Sequence, residues 1–301
     1  MKTTSTLGGG LAMSISYPLK PMLAHPFEPR YIRNVTYLVQ EKFDGIRCLA
    51  YPDGSLRTRN NKPILSCPHI SDAIQSLAQS GDPLVFDGEL FFPGWTFNRI
   101  SGAVRTKEPT QDSLTLLYLI FDFVSERTVA KHRLAHIARL RFTPHPACLV
   151  FIEHQQVVCT TREELETVIG RIYETTVDMA QTGVEGLILR DPYSVYEQKR
   201  THVMLKVKGE EELIATVESA NEEIDKDGNS KDTLGSLSCI DEKNNKFSVG
   251  TGPPLTKHGR KLLWRCLDGI LGHKVRVKFQ YRNEFGIPRH PILREILGKE
   301  I

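Results

Sequence analysis

Six short β-rich runs, at residues 37–40, 47–51, 84–86, 114–124, 148–152 and 186–189, are separated by polar turns. Several of those connections are too short to hold a helical crossover, which directs the strands into mainly antiparallel sheets. Helical periodicity occupies residues 71–79, 129–141 and 162–181. Together these patterns predict a mixed α+β domain. After Lys208 the texture changes. Short β-rich segments at residues 212–218, 236–240, 246–249 and 275–281 surround an acidic stretch at 221–232, and one amphipathic helix is expected over 257–271. A small β-barrel accommodates that pattern. The expected organisation is a flexible leader over residues 1–16, an α+β domain over 17–208 and a barrel over 209–301.

With 301 residues, 40% hydrophobic and 25% charged, the chain buries a sizeable core, which excludes disordered and mini-protein classes. No apolar run approaches the roughly 20 residues needed to span a bilayer. Six cysteines show neither a C-x-x-C pair nor zinc-finger spacing, so free thiols in a cytoplasmic protein are expected. The net charge of +3 conceals an asymmetry. Residues 209–242 hold 2 Lys/Arg against 11 Asp/Glu, and residues 243–301 hold 13 against 4. The basic tail includes Lys274, Arg276 and Lys278, which alternation places on one face of a strand. Such a face is either solvated or a track for a phosphate backbone.

Chemistry concentrates at Lys42-Phe43-Asp44-Gly45-Ile46-Arg47. A lysine at the end of a strand, followed by an Asp-Gly turn, brings its amine to the mouth of a sheet. An ordinary lysine is protonated near neutrality, so a nucleophilic one needs cations or a metal beside it. Lys206 and Lys208 supply two cations on one strand face, and Glu185 is a carboxylate entering an apolar strand. Asp87-Gly88-Glu89 offers a further acid at a strand turn, and Phe121 an aromatic ring within a hydrophobic strand. Each of these also has a plain structural reading as a turn acid, core ring or solvated lysine. His132 and His136 share a helix face, where solvent exposure is the simpler reading than a metal pair.

In order, K-x-D-G-x-R, Arg59, D-G-E-L, F-D, E-G followed by apolar residues, and L-K-x-K resemble the motif series of the covalent nucleotidyltransferases, specifically the ATP-dependent DNA ligases. Pro21-Met22-Leu23-Ala24, the segment from Phe97 to Lys107, and Gly286 to Pro291 resemble the compact bacteriophage-type members. The resemblance covers residues 17–296. It implies an α+β nucleotidyltransferase domain, ATP-grasp-like with mainly antiparallel sheets and helices, followed by an OB-fold barrel. Lys42 would attack the α-phosphate of ATP and carry AMP, with Mg²⁺ (or Mn²⁺) as the metal. Glu41 would lie at the adenine edge and Phe121 would stack on the ring. Arg47, Arg59 and Glu89 would hold sugar or phosphate, while Lys206 and Lys208 would contact the α-phosphate. Glu185, with Glu89 as a second, would hold the metal; Asp44 would act electrostatically. The implied partner is nicked double-stranded DNA, gripped through Arg105, Lys107, Lys274, Arg276, Lys278, Arg282 and Arg289, with no membrane and a monomeric state, in the cytoplasm (the host's, if virus-encoded).

One family feature is absent. An R-x-D-K motif that orients pyrophosphate is not found near the end, where Arg289, Arg294 and Lys299 are the available cations. An RNA ligase or an mRNA-capping guanylyltransferase would share the lysine, and a catalytically dead relative would bind nucleic acid only. The D-G-x-R and F-N…S-G…R-T-K segments resemble DNA ligases more than either alternative enzyme.

Overall fold

The structure, a computed structural model, describes residues 19–81, 83–176, 183–283 and 285–298. The leader expected over residues 1–16, the helix end at 177–181 and Lys299 lie outside these residues. The chain divides into two compact units, residues 1–207 and 208–301.

The first unit begins with strands β1 (Leu23–Pro26), β2 (Thr36–Phe43), β3 (Ile46–Ala50) and β4 (Leu56–Thr58). Helix α1 (Pro68–Gln79), strand β5 (Phe86–Phe91) and helices α2 (Phe97–Arg105) and α3 (Gln111–Thr115) follow. Then come β6 (Leu117–Phe123), α4 (Ala130–Leu140), β7 (Leu149–Phe151) and β8 (Gln155–Val158). The unit closes with α5 (Arg162–Thr176), β9 (Val184–Arg190) and β10 (Arg200–Lys208).

Its strands form two five-stranded sheets, in the orders β1-β10-β9-β2-β8 and β4-β3-β5-β6-β7. The β2/β8, β2/β9, β3/β4, β3/β5 and β5/β6 pairs are antiparallel, and the edge pairs β1/β10 and β6/β7 are parallel. Each sheet is apolar on its outer face. Tyr37, Val39, Leu187, Leu189 and Leu205 of the first sheet pack with Leu165 and Ile169 of α5. Cys48, Ala50, Phe86, Leu90 and Ile120 of the second pack with Ile70, Ile74 and Leu77 of α1 and Ile100 and Val104 of α2. Helix α1 forms because Ile70, Ala73, Ile74 and Leu77 recur at helical spacing behind a proline in the first turn. By strand alternation, the inner faces carry Gln40, Lys42 and Arg190 on one sheet and Arg47, Asp87, Glu89 and Phe121 on the other.

Several elements differ from expectation. The run at 114–124 is split, because Thr110 and Ser113 form a reciprocal capping box that makes 111–115 a helix. Asp87-Gly88-Glu89 lies inside β5 rather than at a turn. There the glycine answers to packing: a Cβ on Gly88 would stand 2.5 Å from the Leu119 carbonyl oxygen and from the Tyr118 ring.

The second unit comprises β11 (Glu211–Ile224), β12 (Ser230–Asp241), β13 (Lys246–Val249), α6 (Lys257–Arg265), α7 (Leu267–Ile270), β14 (Lys274–Phe279) and β15 (Ile292–Gly298). Its sheet runs β13-β12-β11-β14-β15, antiparallel throughout. The acidic stretch at 221–232 is the outer end of the β11/β12 hairpin, not a separator between elements. The single helix expected over 257–271 is two, broken at Cys266. Among the described residues the sheet does not close into a barrel by a ladder between β13 and β15. One backbone hydrogen bond, Leu293 N–H to Thr251 O at 2.8 Å, bridges them beyond the end of β13. Pro253 and Pro254 follow and have no N–H to extend it.

Candidate active site

Lys42 is the penultimate residue of β2, on the inner face, one turn before β3. Across β9 the register shifts, with Lys42 opposite Gly186 but Phe43 opposite Val184. The extra residue is Glu185. A bulge of this kind re-aims a side chain, and here the Glu185 carboxylate meets the Lys42 ammonium directly. Glu185 is buried, whereas Lys42 is only partly covered. The turn behind Lys42 admits no side chain at residue 45. A Cβ on Gly45 would fall 2.3 Å from the Leu90 carbonyl oxygen and 2.8 Å from Glu89 Cγ. Gly45→Ala is therefore expected to push β5 off the hairpin, destabilise the fold by about 2 kcal/mol or more, and displace Lys42 from Glu185. A thermal melt and an AMP-attachment assay check both effects.

Facing this pair, Arg47 sits opposite Glu89 in the β3/β5 register. Its Nε and Nη2 donate to the two Asp87 oxygens, each at 2.6 Å, and the Tyr196 hydroxyl donates to the same carboxylate at 2.5 Å. Burial opposes the Arg47 charge, but Asp87 outweighs it and holds the guanidinium protonated well above the usual arginine value. Burial also pushes the Glu89 carboxyl up to about 7, against the pull of Arg47 and Lys42, and the neighbouring Glu185 and Asp87 charges add to the rise. Phe121 is buried, with the Arg47 guanidinium 4.6 Å and the Arg190 guanidinium 5.8 Å from its ring centroid. Below it, Gln40 Nε2 donates to the Phe121 carbonyl at 3.3 Å, and Arg190 donates to Gln40 Oε1 at 3.1 Å. Arg190 and Arg133 share the buried Asp122.

The arrangement is thus an amine held by a buried carboxylate, beside a second carboxylate that burial discourages from ionising and an aromatic ring. An amine nucleophile, a planar ring and cation-rich walls suit an attack on a nucleotide phosphate. A sequence profile of the "ATP dependent DNA ligase domain" matches residues 21–208. The chain belongs to the ATP-dependent DNA ligase family. A DNA ligase of Haemophilus influenzae is 24% identical over 234 residues, 77% of each chain. A structure from a study of DNA binding with a minimal scaffold by Lig E DNA ligases is 25% identical, with TM-score 0.72 over 92% of this chain and 99% of that one. The Chlorella virus DNA ligase-adenylate, 23% identical with TM-score 0.50 over 94% and 99% of the chains, shares the fold. The protein is accordingly an ATP-using enzyme that forms phosphodiester bonds in DNA, in the mixed α+β nucleotidyltransferase-type ligase fold.

The ligase fold sorts the residues expected from sequence. Lys42, Arg47, Glu89, Phe121 and Glu185 are brought together. Lys206 lies on β10 and, by alternation, on the face of its sheet that Lys42 occupies. Lys208 ends that strand and donates to Gln280 at 3.3 Å. Glu41 is exposed and alternates to the face opposite Lys42. Gln40, not picked out from sequence, takes the inner position. Arg59 is exposed in the turn after β4 and makes no side-chain hydrogen bond among the described residues. Asp44 stands in the turn itself, its N–H bonded to Gly183 O. Asp87, Tyr196, Arg190, Asp122 and Arg133 were also missed. Their roles come from side-chain pairs between segments distant in sequence: Asp87 with Arg47 of the neighbouring strand and with Tyr196, and Asp122 with Arg190 of the other sheet and Arg133 of α4.

Among the expected DNA contacts, Arg105 and Lys107 are exposed at and after the end of α2. The β14 cations are not a bare stripe. Arg276 lies 3.7 Å from Glu212 of β11 and 3.4 Å from Glu295 of β15, and Lys278 pairs with Glu210. Arg282 bonds Asp241 at 2.5 Å and the Gly286 carbonyl at 2.7 Å. Arg289 bonds the Tyr281 hydroxyl, and Arg294 is exposed. His136 packs edge-on against Phe123, with centroids 5.7 Å apart, as a core-facing ring does.

Proposed function

We propose that the protein seals nicks in duplex DNA bearing a 5′-phosphate and a 3′-hydroxyl, and that Lys42 carries the AMP. The observation that carries this reading is the Lys42–Glu185 pair at the bulge, facing Glu89 and Phe121 across the two sheets. Lys42 Nζ gives up a proton and bonds to the α-phosphorus as the bond to the bridging oxygen breaks, releasing pyrophosphate. The 5′-phosphate of the nick then displaces Lys42 from that phosphorus, and the 3′-hydroxyl finally displaces AMP. Phe121 offers its ring to the adenine, with the Gln40 side chain and the Glu41 backbone at the base edge. Lys206 and Lys208 neutralise charge at the α-phosphate, while Arg47, Arg59 and Glu89 hold sugar or phosphate.

The donor set suits Mg²⁺. Glu185 and Glu89 are hard carboxylates with overlapping fields, and burial that raises Glu89 to about 7 is what a cation relieves. No cluster of three metal-binding side chains exists among the described residues, so water and substrate phosphates would have to complete the ion's coordination. Bound there, the ion would neutralise phosphate charge and compete with the Lys42 ammonium for Glu185. In the second unit we assign an OB-fold to the β11–β15 sheet, supported by its five antiparallel strands and the Leu293–Thr251 bridge. Six free thiols support a reducing, cytoplasmic setting, and no described helix is long and apolar enough to cross a membrane.

The test is a pulse and chase with α-labelled ATP and a duplex containing one 5′-phosphorylated nick. Label that survives denaturation and leaves the protein as the nick closes is the expected result. Label that forms from ATP but ignores the DNA nick would point to RNA ends, and label only from GTP to capping chemistry. The contacts at Arg105, Lys107, Lys274, Arg276, Lys278, Arg282 and Arg289 belong to the same proposal. Arg276→Ala is expected to weaken binding of the nick only modestly and to flatten the log–log salt slope by less than about 0.9, because Glu212 and Glu295 already compete for that guanidinium. A salt titration of nick affinity measures it.

A further inference from the structure

Two cations of β14, Arg276 and Lys278, are matched by carboxylates, whereas among the described residues the exposed cations of α6 are not. From Lys243 to Leu267 the sequence holds six Lys/Arg and no Asp or Glu. Helix α6 lies within this stretch and has no fully buried residue. It is fastened by Arg260, whose guanidinium donates to the carbonyls of Leu234 at 2.9 Å, Gly235 at 2.7 Å, Leu255 at 3.1 Å and Gly250. Leu263 and Trp264 pack partly against the core of the unit. With those residues turned inward, Lys257, Lys261 and Arg265 are exposed at successive four-residue steps. Among the described residues none of the three has an ion-pair partner.

This face is poorly chosen for helix stability. Both four-residue pairs place like charges one turn apart, which destabilises a helix. Lys257 is also a cation in the first turn, against the helix dipole, with no acidic residue there to offset it. Arg265 alone, in the last turn, suits the dipole; a row that otherwise breaks two local rules, with no ion pair among the described residues to offset them, marks a surface kept for a partner. The row is about 12 Å long, the axial reach of about three to four phosphates on one DNA strand. We propose that Lys257, Lys261 and Arg265 form a phosphate-tracking face for duplex DNA. The inference rests on duplex DNA being the substrate and adds a surface to that reading.

The test is the affinity of the full chain for a nicked duplex with a non-ligatable end, titrated with KCl. Three proteins are compared: wild type, the K257Q/K261Q/R265Q variant and the charge-preserving K257R/K261R/R265K variant. The glutamine variant should lose affinity on the order of 100-fold at 0.1 M salt, and its log–log slope should flatten by up to about 2.7. Its melting temperature should not fall, since repulsion is removed, and the charge-preserving variant should match wild type. An unchanged slope in the glutamine variant overturns the proposal, as does an equal loss in the charge-preserving one. Wild type that takes label from ATP but does not bind the nicked duplex would overturn the DNA reading itself, a different failure from that of α6.

Discussion

Lys42→Arg is expected to abolish AMP attachment while leaving the fold intact. Arginine keeps the positive charge and can still meet the Glu185 carboxylate at the bulge. What it lacks is an amine that can lose a proton in a protein, because the guanidinium stays charged. The substitution therefore separates charge from nucleophilicity, which Lys42→Ala would remove together. Label from α-labelled ATP should fall below detection, a loss of at least about 10⁴-fold for removal of a covalent nucleophile. The melting temperature should stay close to that of wild type. The sharper readout is a nick that already carries AMP on its 5′-phosphate. Sealing it forms no bond to residue 42, so the variant should close that nick while failing on an ordinary one. Attachment of AMP to Lys42→Arg would show that another residue is the nucleophile. Failure on both substrates with an unchanged melt would place Lys42 in the final step as well.

What could be read beforehand follows the range of the interactions. The Lys42 hairpin is local: six consecutive residues specify a strand end, a turn and the next strand, and the structure forms them so. Lys206 and Glu185 were also visible, as charges set into apolar strands. The face of β2 was available in principle, since period two puts Gln40 with Lys42 and Glu41 opposite. The bulge was not available, because it depends on which residue of β9 slips past β2. The same holds for β14. Its three cations are obvious in sequence, but the glutamates that meet two of them come from β11, the residue just before it and β15, some 19 to 68 positions away. Net charge along the chain pointed to β14, whereas charge across the sheet leaves α6 as the less compensated row. A glycine in D-G-E looked like a turn because turns commonly need glycine. Here the Tyr118 ring demanded it, a contact between strands that no local pattern records.

The largest effect on stability is expected at Asp122. Asp122 and Arg133 are fully buried and Arg190 nearly so. One carboxylate serves two guanidiniums: Arg133 donates to it at 2.8 and 3.2 Å, and Arg190 at 2.8 Å. Burial pulls the Arg190 pKa down, and the Asp122 charge is the main force opposing it. Asp122→Ala leaves both cations in the interior with only carbonyl and amide oxygens as hydrogen-bond acceptors among the described residues: Thr128 and Ser194 for Arg133, and Gln40 for Arg190. Breaking a buried pair from one side costs about 3–5 kcal/mol. For a unit of this size that lowers the melting temperature by on the order of 10 °C. Arg133→Met should rescue part of this loss, because the double variant removes one of the two stranded charges. The double-mutant cycle should therefore give a loss smaller than the sum of the singles by about 1–3 kcal/mol. The effect should also reach the nucleotide. Arg190 fixes Gln40, and Gln40 holds the Phe121 carbonyl, so AMP attachment should demand more ATP even well below the melting transition. A strictly additive cycle, or an Asp122→Ala protein within about 1 kcal/mol of wild type, would mean that the two arginines do not depend on this carboxylate.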